Sequence, residues 1–110
     1  MAFSDALAAR IRQSLAGKKG IEEKKMFGGI GFLLNGNMLV GVREDSLLVR
    51  LSDDQGEEAL KEPHVSAFKI TGRSTMRGWV LVAPEGVADD DQLSGWVQRA
   101  LKFVGKLPAK

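Results

Sequence analysis

Two short stretches carry residues of the kind that grip an anion. In the first, Lys24 and Lys25 precede Gly28-Gly29-Ile30-Gly31. Successive backbone N–H groups of a glycine turn can form a nest for an anion, and flanking lysines add charge. In the second, Gly72-Arg73-Ser74-Thr75-Met76-Arg77-Gly78 sets two arginines and two hydroxyls in a glycine-bounded loop. Guanidinium groups make bidentate bonds to phosphate or carboxylate. Lys24, Lys25, Gly28, Gly29, Arg73 and Arg77 are therefore the candidate anion or nucleic-acid contacts. Neither stretch has the GxxxxGK[ST] spacing of a phosphate loop, and no helix follows the first to add its dipole. The structural alternative is a tight turn at a sheet corner and a solvated loop.

Catalytic chemistry finds little else. There is no cysteine, hence no disulfide, thiolate metal site or thiol nucleophile. His64 is the single histidine and follows Pro63, which suits a loop residue better than a catalyst. No nucleophile motif surrounds the serines. Asp89-Asp90-Asp91 lacks the alternating spacing and distal glutamate of a calcium loop and reads as a helix start. The sequence assigns no catalytic residue, cofactor or metal ligand.

The elements that position these residues follow from pattern. Ser4 reads as an N-cap, Leu7, Ile11 and Leu15 as one helical stripe, and Gly17 as its stop. Lys18, Lys19, Glu22 and Glu23 read as a solvated connection and Lys24–Phe27 as the entry to a sheet. Asn35-Gly36 is a strong hairpin signal, because a type I′ turn needs positive φ at both positions. An unbroken register from that turn sets Leu33 opposite Met38 and Phe32 opposite Leu39. A second turn at Glu44-Asp45 sets Val42 opposite Leu47 and Val40 opposite Val49. Ser52-Asp53-Asp54 starts a short helix, Val65–Ile70 is a strand, Thr71–Gly78 a loop, and Trp79–Ala83 a strand apolar on both sides. Leu93, Trp96, Val97, Ala100, Leu101 and Val104 follow helical spacing, and Leu107–Lys110 reads as a frayed tail. The expected fold is α+β: an antiparallel meander sheet with helices at both chain ends packed on it in two layers.

Alternation along the meander predicts two sheet faces. One carries Leu33, Met38, Val40, Val42, Leu47, Val49 and Leu51, a plain core. The other mixes Ile30, Phe32, Leu34, Leu39 and Leu48 with Arg43 and Arg50. An apolar patch rimmed by arginine marks many protein contacts. Phe32, Leu39, Arg43, Leu48 and Arg50 are therefore the candidate protein contact; the alternative is that a helix covers this face. A slip of one residue would exchange the two faces.

Lys25-Met26-Phe27-Gly28-Gly29-Ile30-Gly31-Phe32, followed by a hairpin and Leu47-Leu48-Val49-Arg50-Leu51, resembles the amino-terminal domain of the TfoX/Sxy family. Met76-Arg77-Gly78-Trp79-Val80-Leu81-Val82 resembles its short members. The resemblance runs from Arg10 to about Val104. It implies the fold and carries no catalytic residues. It also implies regulation of natural competence alongside a cyclic-AMP-responsive transcription factor. Longer members carry a second, carboxyl-terminal domain; a chain of 110 residues leaves no room for one, so a stand-alone domain is expected.

Bulk properties agree with one domain. The net charge is +2, with a hydrophobic fraction of 44% and 27% charged residues. No segment has the apolar length of a signal sequence or bilayer span, and a cytoplasmic location is expected. The function expected is a non-enzymatic regulatory domain that acts through protein contacts, with transcription machinery or a second copy of the chain (a homodimer) as partner. Two alternatives stay open. One is a nucleic-acid-binding module that uses Lys18, Lys19, Lys24, Lys25, Arg73 and Arg77 on DNA. The other is a small-molecule or anion-binding protein or enzyme in which the glycine and arginine loops meet.

Overall fold

The structure, a computed structural model, describes residues 4–26, 29–69 and 75–109, with backbone only for Met26, Lys69, Thr75, Met76 and Arg77. The elements run α1 (Asp5–Ser14), β1 (Ile21–Met26), β2 (Gly29–Leu34), β3 (Asn37–Arg43), β4 (Ser46–Arg50), α2 (Asp53–Ala59), β5 (Val65–Lys69), β6 (Thr75–Val82), a 3₁₀ turn (Pro84–Val87) and α3 (Asp90–Val104). The six strands form one antiparallel open sheet in the order β1-β2-β3-β4-β6-β5. This is the expected two-layer α+β architecture, with β6 inserted between β4 and the edge strand β5.

Local signals set the ends of the elements. The Ser4 hydroxyl accepts from the Leu7 N–H at 3.1 Å. The Ser4 N–H donates to the Glu44 carbonyl at 2.7 Å, which ties the start of α1 to the β3–β4 turn. Gly17 takes φ +84° just beyond the helix. Ser52 and Gln55 form a reciprocal capping box on α2, and Gln92 accepts from the Asp89 N–H at 2.9 Å at the start of α3. Asn35 and Gly36 adopt φ of 52° and 85°, the pair of positive angles a type I′ hairpin requires.

Three sequence expectations are corrected. Glu22 and Glu23 are not a connection but part of β1, a charged edge strand of the kind that resists pairing with other chains. Thr75–Gly78 is not loop but the opening of β6. Gly78 there has φ +82°, and a Cβ on it would strike the Leu51 carbonyl. The segment after α3 does not simply fray. Leu107 packs on the core, and Asn37, buried at the start of β3, donates to the Pro108 carbonyl at 2.9 Å.

The largest correction concerns the sheet faces. Leu33 pairs with Met38, but Phe32 pairs with Val40, not Leu39, because β3 bulges between these pairs. A bulge adds one residue and reverses the alternation beyond it. Leu39 and Val40 therefore both join the core with Ile30, Phe32, Leu34, Val42, Leu47, Val49, Val80 and Val82. Residues of α1, α2 and α3 complete that cluster, among them Leu7, Ile11, Ala59, Leu93, Val97 and Val104. Burying each large apolar side chain there contributes about 1.5–3 kcal/mol.

Candidate functional site: the open sheet face

The opposite face of the sheet follows from the same register. One row across it reads Lys24, Gly31, Gly41, Leu48, Leu81 and Ser66. Met38 and Leu48 form a second, smaller cluster with Phe68, against which Trp79 and Leu81 pack. Phe68 is fully buried although it comes from β5, which lies at the sheet edge. Its ring and that of Trp79 lie 6.2 Å apart, centre to centre.

Two arginines finish this surface. The Arg43 guanidinium sits 5.5 Å from the centre of the Phe68 ring. The Arg50 guanidinium sits 5.4 Å from Trp79 and 5.9 Å from Phe103. Both arginines are half-buried. Among the described residues the ion pairs engage Arg10, Arg12, Lys61 and Arg99, and neither Arg43 nor Arg50 meets a carboxylate. Arg50 also donates a long hydrogen bond to the Met38 carbonyl, at 3.5 Å; a guanidinium laid on a ring can still offer its remaining N–H groups to a carboxylate or phosphate.

The structure divides the five residues expected to form a protein contact. Arg43 and Arg50 are half-buried on this second face; Leu48 shares that face but is buried against Met38 and Phe68 and is no exposed contact. Phe32 and Leu39 do not lie on it: both are fully buried beneath the helices. The bulge at Leu39 is the physical reason.

Of the anion candidates, Lys24, Lys25 and Gly29 lie among the described residues. Lys24 and Lys25 are both exposed, but alternation sends them to opposite faces of β1. Gly29 is buried, and a Cβ on it would strike the Val42 carbonyl, so glycine there answers to close strand packing. Gly28 and Arg73 lie outside the described residues, and of Arg77 only the backbone is described, in β6. The ends of β1 and β2 that flank residues 27–28 and the ends of β5 and β6 that flank 70–74 lie at opposite ends and opposite edges of the sheet. Lys18 and Lys19 are exposed in the turn after α1. His64 is exposed, with φ +67°. Among the described residues no group of three or more His, Asp or Glu is placed to hold a metal ion, and no helix is long and apolar enough to cross a membrane.

Sequence reasoning missed Phe68, Trp79 and Phe103 as ring partners of the arginines. The signal available was Trp79 alternating with Leu81 in a strand apolar on both sides.

Fold and site define a small two-layer α+β domain with helices on one sheet face and an arginine–aromatic surface on the other. The chain belongs to the TfoX N-terminal domain family, which it matches over residues 13–104. No curated protein matches it. Membership supports a domain of regulatory type.

Proposed function

We propose that this domain is a non-enzymatic regulatory module that docks an acidic polypeptide segment on its open sheet face. Arg43 and Arg50 supply the charge, and Trp79 and Leu81 the apolar contact. The observation that carries the reading is the pair of arginines, each laid on an aromatic ring and each without a carboxylate partner among the described residues. Family membership favours transcriptional regulation as the setting. It also favours a partner protein over a substrate.

The test is fluorescence anisotropy with a labelled amphipathic glutamate–leucine peptide and, separately, a labelled DNA duplex. Titrations run at about 50 and 200 mM salt, the range in which phosphate contacts lose most affinity. The reading expects saturable peptide binding that drops about tenfold in the R43Q/R50Q double variant, the loss of about 1.4 kcal/mol. Tight duplex binding that collapses with salt and depends on Lys18, Lys19, Lys24 and Lys25 would replace it with the nucleic-acid reading.

A further inference from the structure

Charge is distributed unevenly over this chain. Helix α2 holds four acids in its seven residues and no base, in a chain of net charge +2. Helix α3 lies beside it, and the two walls leave a hollow of about 430 Å³. Leu51 and Ala59 line it with Asp54 and Glu58 from the α2 side and Lys102 from α3. A second hollow of about 310 Å³ lies next to it, lined by His64, Asp91, Gly95 and Trp96.

Glu62 and Arg99 line both hollows. Arg99 donates two hydrogen bonds to Glu62, at 2.7 and 3.2 Å, and its guanidinium lies 4.2 Å from the centre of the Trp96 ring. This ion pair straps the cleft at its middle. The rim acids Asp54, Glu58, Glu62 and Asp91 outnumber Arg99, Lys102 and Lys61, the last paired with Glu58 at 3.4 Å in an exposed contact that an entering cation can displace.

Gly95 adds a separate observation. It lies inside α3, where glycine weakens a helix by about 1 kcal/mol relative to alanine. Its φ is not positive, and a Cβ there would meet nothing within 4 Å. Gly56, by contrast, is explained by its contact with Gly78. The chain's own packing gives no reason for a bare backbone at Gly95, whereas a partner approaching the second hollow does.

We propose that the cleft between α2 and α3 is a second docking site, and that it takes a lysine- or arginine-bearing segment of a partner polypeptide. The acids are strung along the cleft and not gathered around a point, which suits successive cationic side chains better than a metal ion. An entering cation takes Glu62 and releases Arg99, which keeps its stack on Trp96. The two hollows then join into one groove.

The test uses anisotropy of a labelled amphipathic lysine–leucine peptide at about 50 mM salt, where exposed charge pairs are least screened. Saturable binding to the wild-type protein is expected. The D54N/E58Q double variant, both changes at exposed positions, should weaken it about fivefold. Gly95→Leu, which fills the second hollow, should weaken it about tenfold without lowering the melting temperature. R43Q/R50Q should leave it unchanged, which separates this site from the open sheet face. Equal affinity in the wild type, D54N/E58Q and Gly95→Leu would overturn the proposal. So would sedimentation showing self-association that D54N/E58Q abolishes, since the cleft would then belong to a second copy.

Discussion

On one face of the sheet Ile30, Phe32, Val40, Leu47 and Val80 meet three helices; on the other, Met38 and Leu48 meet Phe68, and two arginines lie on Phe68 and Trp79. The strands supply apolar residues to both sides, so hydrophobicity alone does not tell the faces apart. What covers them does. Helices close the first face with apolar residues such as Leu7, Ile11, Leu93 and Val97. Among the described residues, the second is covered by one edge-strand phenylalanine and by two guanidinium groups, of which Arg50 gives one hydrogen bond to the Met38 carbonyl. The first cover is suited to permanent burial and the second to a contact that forms and breaks.

Neighbouring residues test that contrast most severely. Phe32→Ala should destabilise the fold by about 3–5 kcal/mol in urea titrations. Leu33→Gln, one residue on but facing the other side, should cost only about 1.5–3 kcal/mol, the value of its lost burial. Equal losses would mean the two faces are equally closed. Gly95→Ala should move stability the other way, raising it by about 0.8–1 kcal/mol, since the added methyl meets nothing. Arg50→Gln should lower stability by about 0.5–1 kcal/mol through the lost ring contact. A larger loss would make Arg50 a structural residue and weaken the docking proposal.

The smallest effect concerns pH. Arg12 of α1 forms a bidentate pair with Glu23 of β1, at 2.8 to 3.0 Å. That hydrogen bonding holds the Glu23 carboxyl below its ordinary range, against an opposing push from desolvation and with added help from the Arg12 charge. A depressed folded-state value means the contribution is present above the ordinary glutamate range. It is lost as pH falls through the depressed value. Thermal melts of the wild type and Glu23→Gln should therefore differ slightly at neutral pH and converge in acid. Because the pair is exposed, the difference should shrink with salt.

Turns and caps were legible because they depend on a few adjacent residues. Asn35-Gly36, Ser4, Ser52 and the α3 stripe each act where they sit. The bulge in β3 was not legible. Met38-Leu39-Val40 is a run of three apolar residues, so no alternation marks which one is extra, and the assignment of every residue to a face depends on that one. Gly78 misled for a related reason. A glycine between Arg77 and Trp79 resembles a loop end, whereas its use is close contact with Leu51 and Gly56. The insertion of β6 between β4 and β5 rests on pairing between strands separated by a helix, which no local pattern encodes. The α2–α3 cleft left one readable trace, a glycine inside a strong helix.

The central claim is that the sheet face carrying Arg43 and Arg50, and not the helical one, receives an acidic partner. The most direct measurement is a nitrogen-15 chemical-shift map of the protein titrated with the glutamate–leucine peptide. The account predicts shifts concentrated at the Gly31, Gly41, Leu48 and Leu81 amides and at the Trp79 indole, absent in R43Q/R50Q. Shifts confined to α1 and α3, or a map unchanged by the double substitution, would contradict it.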